Sequence, residues 1–470
     1  MSTPRGRRPH RPRRAAEVAV AEADADALIL LPTGVLDDIL DRVGLRDAVR
    51  TSALSRAWRR RWEDLPSIDF YFPCPDETKH LRAVDSVLLR CPGRVRRLWA
   101  HLDEPSAGRI HDWLLVLSRR GVDTLNLRPS SFDAVLALPS SVFACRRLTN
   151  LRLHACAIPP LPAGFEGFPE LKKLALTCVR FRENGEYQLE EIIATSPSLE
   201  KLVFWEVKIL GDFKQWVIQG PNIQDIQISS SKDLGWILGE LPSLHSANID
   251  ILDYLGGRDF AKFLAGFSNI TKLVICTRHS PLNGAIILER LQCKFGNLKS
   301  LTLYTQFCEL ASILSTYCLL RNAPNLERLK VLIDNSAEQK FEAHEEFQNS
   351  QWTGGMCANL QFMQMTGIHW LPNEMTFIEL ILSKARLFRT LFITHGEKCS
   401  MLNEDAMNKI LSYRRASTCA EILFKGMVSV HRSWQEDNVA HMSTQPHICR
   451  CLCVISLYSL NPIPRFMHKH

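Results

Sequence analysis

SPSLEKLVFW, residues 196–205, states the plan of the chain in ten letters: a turn at Ser196-Pro197-Ser198, then apolar Leu199, Leu202 and Phe204, with Lys201, Val203 and Trp205 between and after them. Alternation over 201–205 predicts a strand buried on one face, and Pro197 ends the segment before it. The same apolar-x-x-apolar-x-apolar pattern occurs at Val122/Leu125/Leu127, Leu148/Leu151/Leu153, Leu171/Leu174/Leu176, Ile223/Ile226/Ile228, Ile270/Leu273/Ile275, Leu298/Leu301/Leu303 and Leu326/Leu329/Val331. Weaker copies stand at Val95/Leu98/Ala100 and Leu244/Ala247/Ile249. Successive copies start 27, 26, 23, 28, 24, 21, 26, 28 and 28 residues apart. One such unit cannot bury its apolar face alone; stacked neighbours can, and they share one core beneath a row of parallel strands.

This period is that of leucine-rich repeats, each a short strand plus a return segment. The expected fold is therefore α/β: over residues 90–350, an irregular leucine-rich-repeat solenoid with a parallel sheet on its concave face. Residues between the leucines of each strand point out of that face. Trp205 and Tyr304 beside cations have the composition of a recognition surface. Arg152, His154, Lys201, Trp205, Tyr304, Arg328 and Lys330 are the expected contacts to a target protein, with convex loops or chain ends as the alternative location. Arg152, Lys201, Arg328 and Lys330 suit an acidic or phosphorylated target.

Before the repeats stands LPTGVLDDILDRVGLRDAVRTSALSRAWRRRWEDLPSIDF, residues 31–70. Leu36, Ile39, Leu40 and Val43 fall at helical spacing between Pro32-Thr33 and Gly44. Leu45, Ala48, Val49 and Ala53 make a second face, and Trp58 and Trp62 a third. Three short helices in about forty residues cannot bury all of this among themselves, so a protein partner is expected. The order Leu31-Pro32, Leu36, Ile39-Leu40, Arg42, Leu45 to Ser52, Leu54-Ser55-Arg56, Trp58-Arg59, Trp62, Leu65-Pro66 and Asp69-Phe70 resembles the F-box of the plant F-box/leucine-rich-repeat family. Gly44 stands where those proteins usually have proline, and Ala57 where they usually have a basic residue. The resemblance implies a three-helix F-box over 28–70 that docks the small adaptor subunit of SCF-type (cullin-RING) ubiquitin ligases. It implies Leu31, Pro32, Ile39, Leu45, Val49, Leu54 and Trp58 as adaptor contacts.

Behind the repeats, CANLQFMQMTGIHWLPNEMTFIELILSKARLFRTLFI from Cys357, followed by LSYRRASTCAEILF, resembles the FBD region of the same family. The residues themselves predict a strand, a turn at Leu371-Pro372-Asn373-Glu374, a helix carrying Phe377, Leu380, Ile381 and Lys384, and a strand at Phe388/Leu391/Ile393. Over 355–425 this unit extends the stack and covers its end. Residues 426–470 match neither pattern and read as a divergent tail.

The formal net charge of +7 belongs to an end segment, since six arginines lie before position 15 with no acidic residue among them. Residues 1–27 read as a disordered Arg-rich tail, either a nuclear-localisation signal or a solvated end. The rest is near neutral, which argues against nucleic acid as a partner. The apolar residues after the arginines are interrupted by Glu17, Glu22, Asp24 and Asp26, so no secretory signal is read, and no run is long enough for a membrane span. A soluble intracellular protein, nuclear or cytoplasmic, is expected, with its 15 cysteines reduced. Cys449, Cys451, Cys453 and His447 do not suggest zinc, because alternate strand residues hold their sulfurs about 6–7 Å apart. There is no phosphate loop, dinucleotide fingerprint or nucleophile elbow, and His344-Glu345-Glu346 lacks the second histidine of a zinc-protease helix. No catalytic residue, cofactor or metal is expected. The expected function is target recognition for an SCF-type ligase, reached through the adaptor and so the cullin; the alternatives are a scaffold without ligase activity and, less favoured, a nuclear nucleic-acid-associated protein.

Overall fold

In the computed structural model, which describes residues 32–43, 45–53, 58, 61–64, 67–72, 79–102, 108–131, 134–253, 260–276, 293–333, 356–396 and 403–425, the apolar positions of the repeated pattern are the core. Leu125, Leu127, Leu202, Ile226, Leu273, Leu301, Leu303 and Leu329 are fully buried, while Asn126, Arg152, Val203, Gln227 and Thr302 between them are half-buried. The chain divides into two compact units, one of residues 1–130, 136–182 and 194–199, the other of 131–135, 183–193 and 200–470.

The first unit opens with helices α1 (Thr33–Arg42) and α2 (Leu45–Arg50). Then come β1 (Ser67–Phe72), α3 (Lys79–Arg90), β2 (Arg94–Leu102), α4 (Ile110–Arg120) and β3 (Thr124–Pro129). Five strands follow: β4 (Leu136–Ala137), β5 (Asn150–His154), β6 (Cys156–Ala157), β7 (Lys173–Thr177) and β8 (Arg180–Phe181). The long strands pair in parallel in the order β1-β2-β3-β5-β7, keeping each leucine level with the next, as Leu98, Leu125, Leu151 and Leu174 are. Helix α4 buries Trp113, Leu114 and Leu117, and its end fastens that of α3. Arg120 donates to the Leu88 carbonyl at 2.7 Å and to the Cys91 carbonyl, supplying donors where a finishing helix leaves carbonyls without partners.

In the second unit α5 (Gly185–Ala194) is followed by β9 (Lys201–Trp205), β10 (Lys208–Ile209), β11 (Trp216–Ile218), β12 (Asp225–Lys232), β13 (Trp236–Leu238) and β14 (Ser246–Asp253). Next are α6 (Phe260–Ala265), β15 (Lys272–Cys276), β16 (Ser300–Thr305), α7 (Leu310–Arg321) and β17 (Arg328–Ile333). The unit closes with β18 (Phe362–Ile368), α8 (Pro372–Lys384), β19 (Thr390–His395), α9 (Asn403–Ser412) and β20 (Glu421–Lys425). Parallel pairing runs β9-β12-β14-β15-β16-β17-β18-β19-β20. The asparagines of the turns tie neighbours together: Asn325 donates to the Gly296 carbonyl at 2.8 Å and Asn359 to the Pro324 carbonyl at 3.1 Å. Away from the main sheet, β11 pairs with β13 and sets Trp216 level with Trp236, both fully buried.

Three local expectations are corrected. Trp58 and Trp62 form no third α-helix among the described residues; Trp58 lies in a turn and Trp62 in the 3-10 turn Arg61–Asp64. Both are 4% exposed, so they pack inside the chain without a partner. The end of the helical module is already sheet, because Ile68 pairs with Val95 and Phe70 with Leu98. Leu371 to Glu374 is no free turn: the helix starts at Pro372, where a fixed φ and a missing N–H cost nothing. Outside the described residues lie Leu31, Leu54, the tails 1–27 and 426–470 with Cys449, Cys451, Cys453 and His447, and the charged stretch 338–346.

Candidate docking face and strand face

Helix α1 is apolar on two sides, for two different reasons. Leu36 and Leu40, four apart, are each 1% exposed and face the first unit's interior. Val35, Ile39 and Val43, also four apart, are 44%, 39% and 36% exposed. The sequence grouping had joined Ile39 and Val43 to Leu36 and Leu40; the 3.6-residue turn separates the two rows. Val35 was missed, although its i, i+4 spacing to Ile39 carried the signal. Of the other residues expected at the adaptor, Pro32 and Val49 are exposed, Leu45 is half-buried and Trp58 is buried. Water thus meets an apolar stripe that the module does not cover.

On the first unit's strands, Trp99, Asn126 and Arg152 share a row, as do Arg97, Thr124, Asn150 and Lys173. The Arg152 guanidinium lies 5.9 Å from the centroid of the Trp99 ring, within cation–π range, and its Nε donates to Asn150 at 3.3 Å. His101 is level with Arg128 on the next strand. Burial pushes the imidazoles of His101 and His154 down to about 4, and the charge of Arg128 adds to the shift for both. Trp99 and His101 were not read from the sequence, because Val95/Leu98/Ala100 is a weak copy, and Arg128 was not, because it follows the last leucine of its copy.

On the second unit's strands, Lys201 is answered locally: Nζ is 2.7 Å from Asp225 Oδ2, which also accepts from Gln227 at 3.2 Å. Trp205 is level with Ser229. Tyr304 stands between Cys276 and Leu332, Arg328 between Ser300 and Phe362, and Lys330 between Thr302 and Gln364. Arg328 and Lys330 are exposed. Among the described residues no group of three or more His, Cys, Asp or Glu is placed to hold a metal ion, and no helix is long and apolar enough to cross a membrane.

Comparison with known proteins agrees with this arrangement. Residues 28–69 match the F-box domain family, and residues 110–252 match the family described as FBD-associated F-box protein At5g56370, LRR repeats. The F-box/FBD/LRR-repeat protein At1g13570 of Arabidopsis thaliana is 27% identical over 423 residues, 84% of this chain and 97% of its own length. The putative F-box/FBD/LRR-repeat protein At2g05300 of the same plant is 25% identical over 435 residues, 85% of this chain and 97% of its own. A solved leucine-rich-repeat protein of Leptospira interrogans aligns over 78% of this chain and 91% of its own, at 12% identity and a TM-score of 0.33. The chain thus carries an F-box match ahead of a match to FBD-associated leucine-rich repeats, and it is similar over most of its length to F-box/FBD/LRR-repeat proteins of Arabidopsis.

Proposed function

We propose that this protein is the substrate-recognition subunit of an SCF-type ubiquitin ligase: the F-box docks the small adaptor subunit, the strand face of the repeats holds a target protein, and the chain does no bond chemistry itself. Its part is effective concentration, keeping target lysines near a ubiquitin-charged enzyme brought by the other subunits. One observation carries the reading: Val35, Ile39 and Val43 stay in water on α1 while Leu36 and Leu40 of the same helix are buried. Burying three such side chains against a partner contributes about 1.5–3 kcal/mol each at full burial. The test is adaptor capture by the intact chain beside a Val35→Asp/Ile39→Asp variant with an unchanged circular dichroism spectrum. Capture by the intact chain and its loss in the folded variant support the reading. A folded intact chain that captures none of several adaptor paralogues overturns it, and the scaffold alternative then stands.

A further inference from the structure

On strands β12 and β14 three side-chain oxygens are buried without a hydrogen-bond partner among the described residues: Oδ1 of Asp225, of Asn248 and of Asp250. All three are acceptors, so what this patch lacks is a donor. Asp250 is the most telling, being 4% exposed. It does not belong to the core, for its strand neighbours Ile249 and Ile251 point there, at 0% and 1% exposure, and alternation puts Asp250 and Asn248 on the opposite, outward face. A buried carboxylate with no partner is costly. Such an oxygen calls for a donor from ordered water, an ion or a ligand.

Register supplies the surroundings. Ser229 is level with both Trp205 and Asp250, and Cys276 with Tyr304. Carrying the β14–β15 pairing one step past Ile249 and Ile275 brings Asp250 level with Cys276. Across five strands the row therefore reads Trp205, Ser229, Asp250, Cys276, Tyr304. Small residues flank the carboxylate, and an aromatic stands about 10 Å away on either side, two strand spacings in each direction. The second unit's nearby cation Lys201 is committed to Asp225 Oδ2. A planar cation with several donors suits acceptors spaced along one strand, and a guanidinium is such a group.

We infer that this row is a binding site for an arginine side chain of the target protein, with Asp250 as the ion-pair acceptor. The inference rests on the reading of the strand face as the target-binding side.

The test is fluorescence anisotropy of the full-length chain with a labelled Gly-Ser heptapeptide carrying one central arginine, beside the same peptide with citrulline, its neutral isostere. The arginine peptide is expected to bind at least about tenfold more tightly, the lower end for a charge-assisted hydrogen bond. Asp250→Asn is expected to erase that preference and leave the melting temperature unchanged or raised. Ser229→Arg, which brings a guanidinium level with Asp250 from the neighbouring strand, is expected to raise the melting temperature and block the peptide. Equal binding of the two peptides, or none up to about 1 mM, overturns the inference. So does a Ser229→Arg chain that keeps the preference, even if D250N does not fold. Adaptor capture in the same samples tells the two failures apart: with capture intact and the preference absent, the arginine site fails and the F-box reading survives.

Discussion

Glu374 and Leu371 close the start of helix α8 from one side only: Oε2 of Glu374 accepts the Leu371 N–H at 2.9 Å and the His369 N–H at 2.9 Å, and the carboxylate is 0% exposed. This is half of a capping box, the third helical residue reaching back while leucine at the cap offers no acceptor in return. Glu374→Ala leaves two backbone donors, the N–H groups of His369 and Leu371, without acceptors and is expected to cost about 2–4 kcal/mol, seen as a lower denaturant midpoint. Glu374→Gln keeps an oxygen in place and removes a buried charge. Its expected midpoint lies close to that of the parent chain, and equal losses in the two variants would refute the capping role.

Acid is expected to weaken the first unit through His101 and His154. Their imidazoles are held at about 4, against an ordinary value of 6.5, by burial first and by Arg128 second. Between those values the unfolded chain takes up protons that the folded chain refuses, so stability rises with pH there. The contribution is fully present above 6.5 and is lost as pH falls through about 4. Chemical denaturation across that interval should show a His101→Gln/His154→Gln variant with a flatter pH dependence than the parent chain. An identical slope would place the acid sensitivity elsewhere.

How much of this was legible in sequence differs by element. The repeat strands were, because apolar residues at alternate positions, often behind a recurring turn, leave one face to bury and one period to keep; β5, β9 and β16 begin where Leu151, Leu202 and Leu301 required. Strand β1 was not, since Ile68 and Phe70 sit directly after the helical module and Leu65-Pro66 and Asp69-Phe70 read as its end. On α1 the residue types were legible and their sides were not, because Ile39 and Leu40 are equally apolar and only packing decides which of them faces inward. Asp250 escaped notice because Ala247 makes its repeat a weak copy, and an acidic residue on the outward face of a strand reads as solvated until its burial is known.

The thiols are expected to be silent in the native state for the most part. Burial pushes Cys145, Cys156, Cys318 and Cys357 up to about 12, and thiolate is the reactive form. Brief alkylation at neutral pH followed by peptide mapping should label the exposed Cys419 and spare those four. Labelling of Cys156 or Cys357 at the rate of Cys419 would mean that the repeats open locally on the time scale of the reaction.

The two rows of α1 should separate stability from docking. Leu40 is 1% exposed, so Leu40→Ala leaves a cavity and is expected to cost about 2–5 kcal/mol. Ile39, one residue earlier, is 39% exposed; Ile39→Ala removes side chain that already meets water and should change stability by about 1 kcal/mol or less. Adaptor affinity is expected to move the other way. Ile39→Ala should weaken binding of a fully folded chain, and Leu40→Ala should weaken it only in proportion to the unfolded fraction. Thermal denaturation and adaptor titration on the same two samples read both quantities. If Leu40→Ala reduces affinity beyond its unfolded fraction while Ile39→Ala leaves it unchanged, the adaptor face is not the stripe of Val35, Ile39 and Val43, and docking would have to draw on the side of α1 that the isolated chain keeps buried.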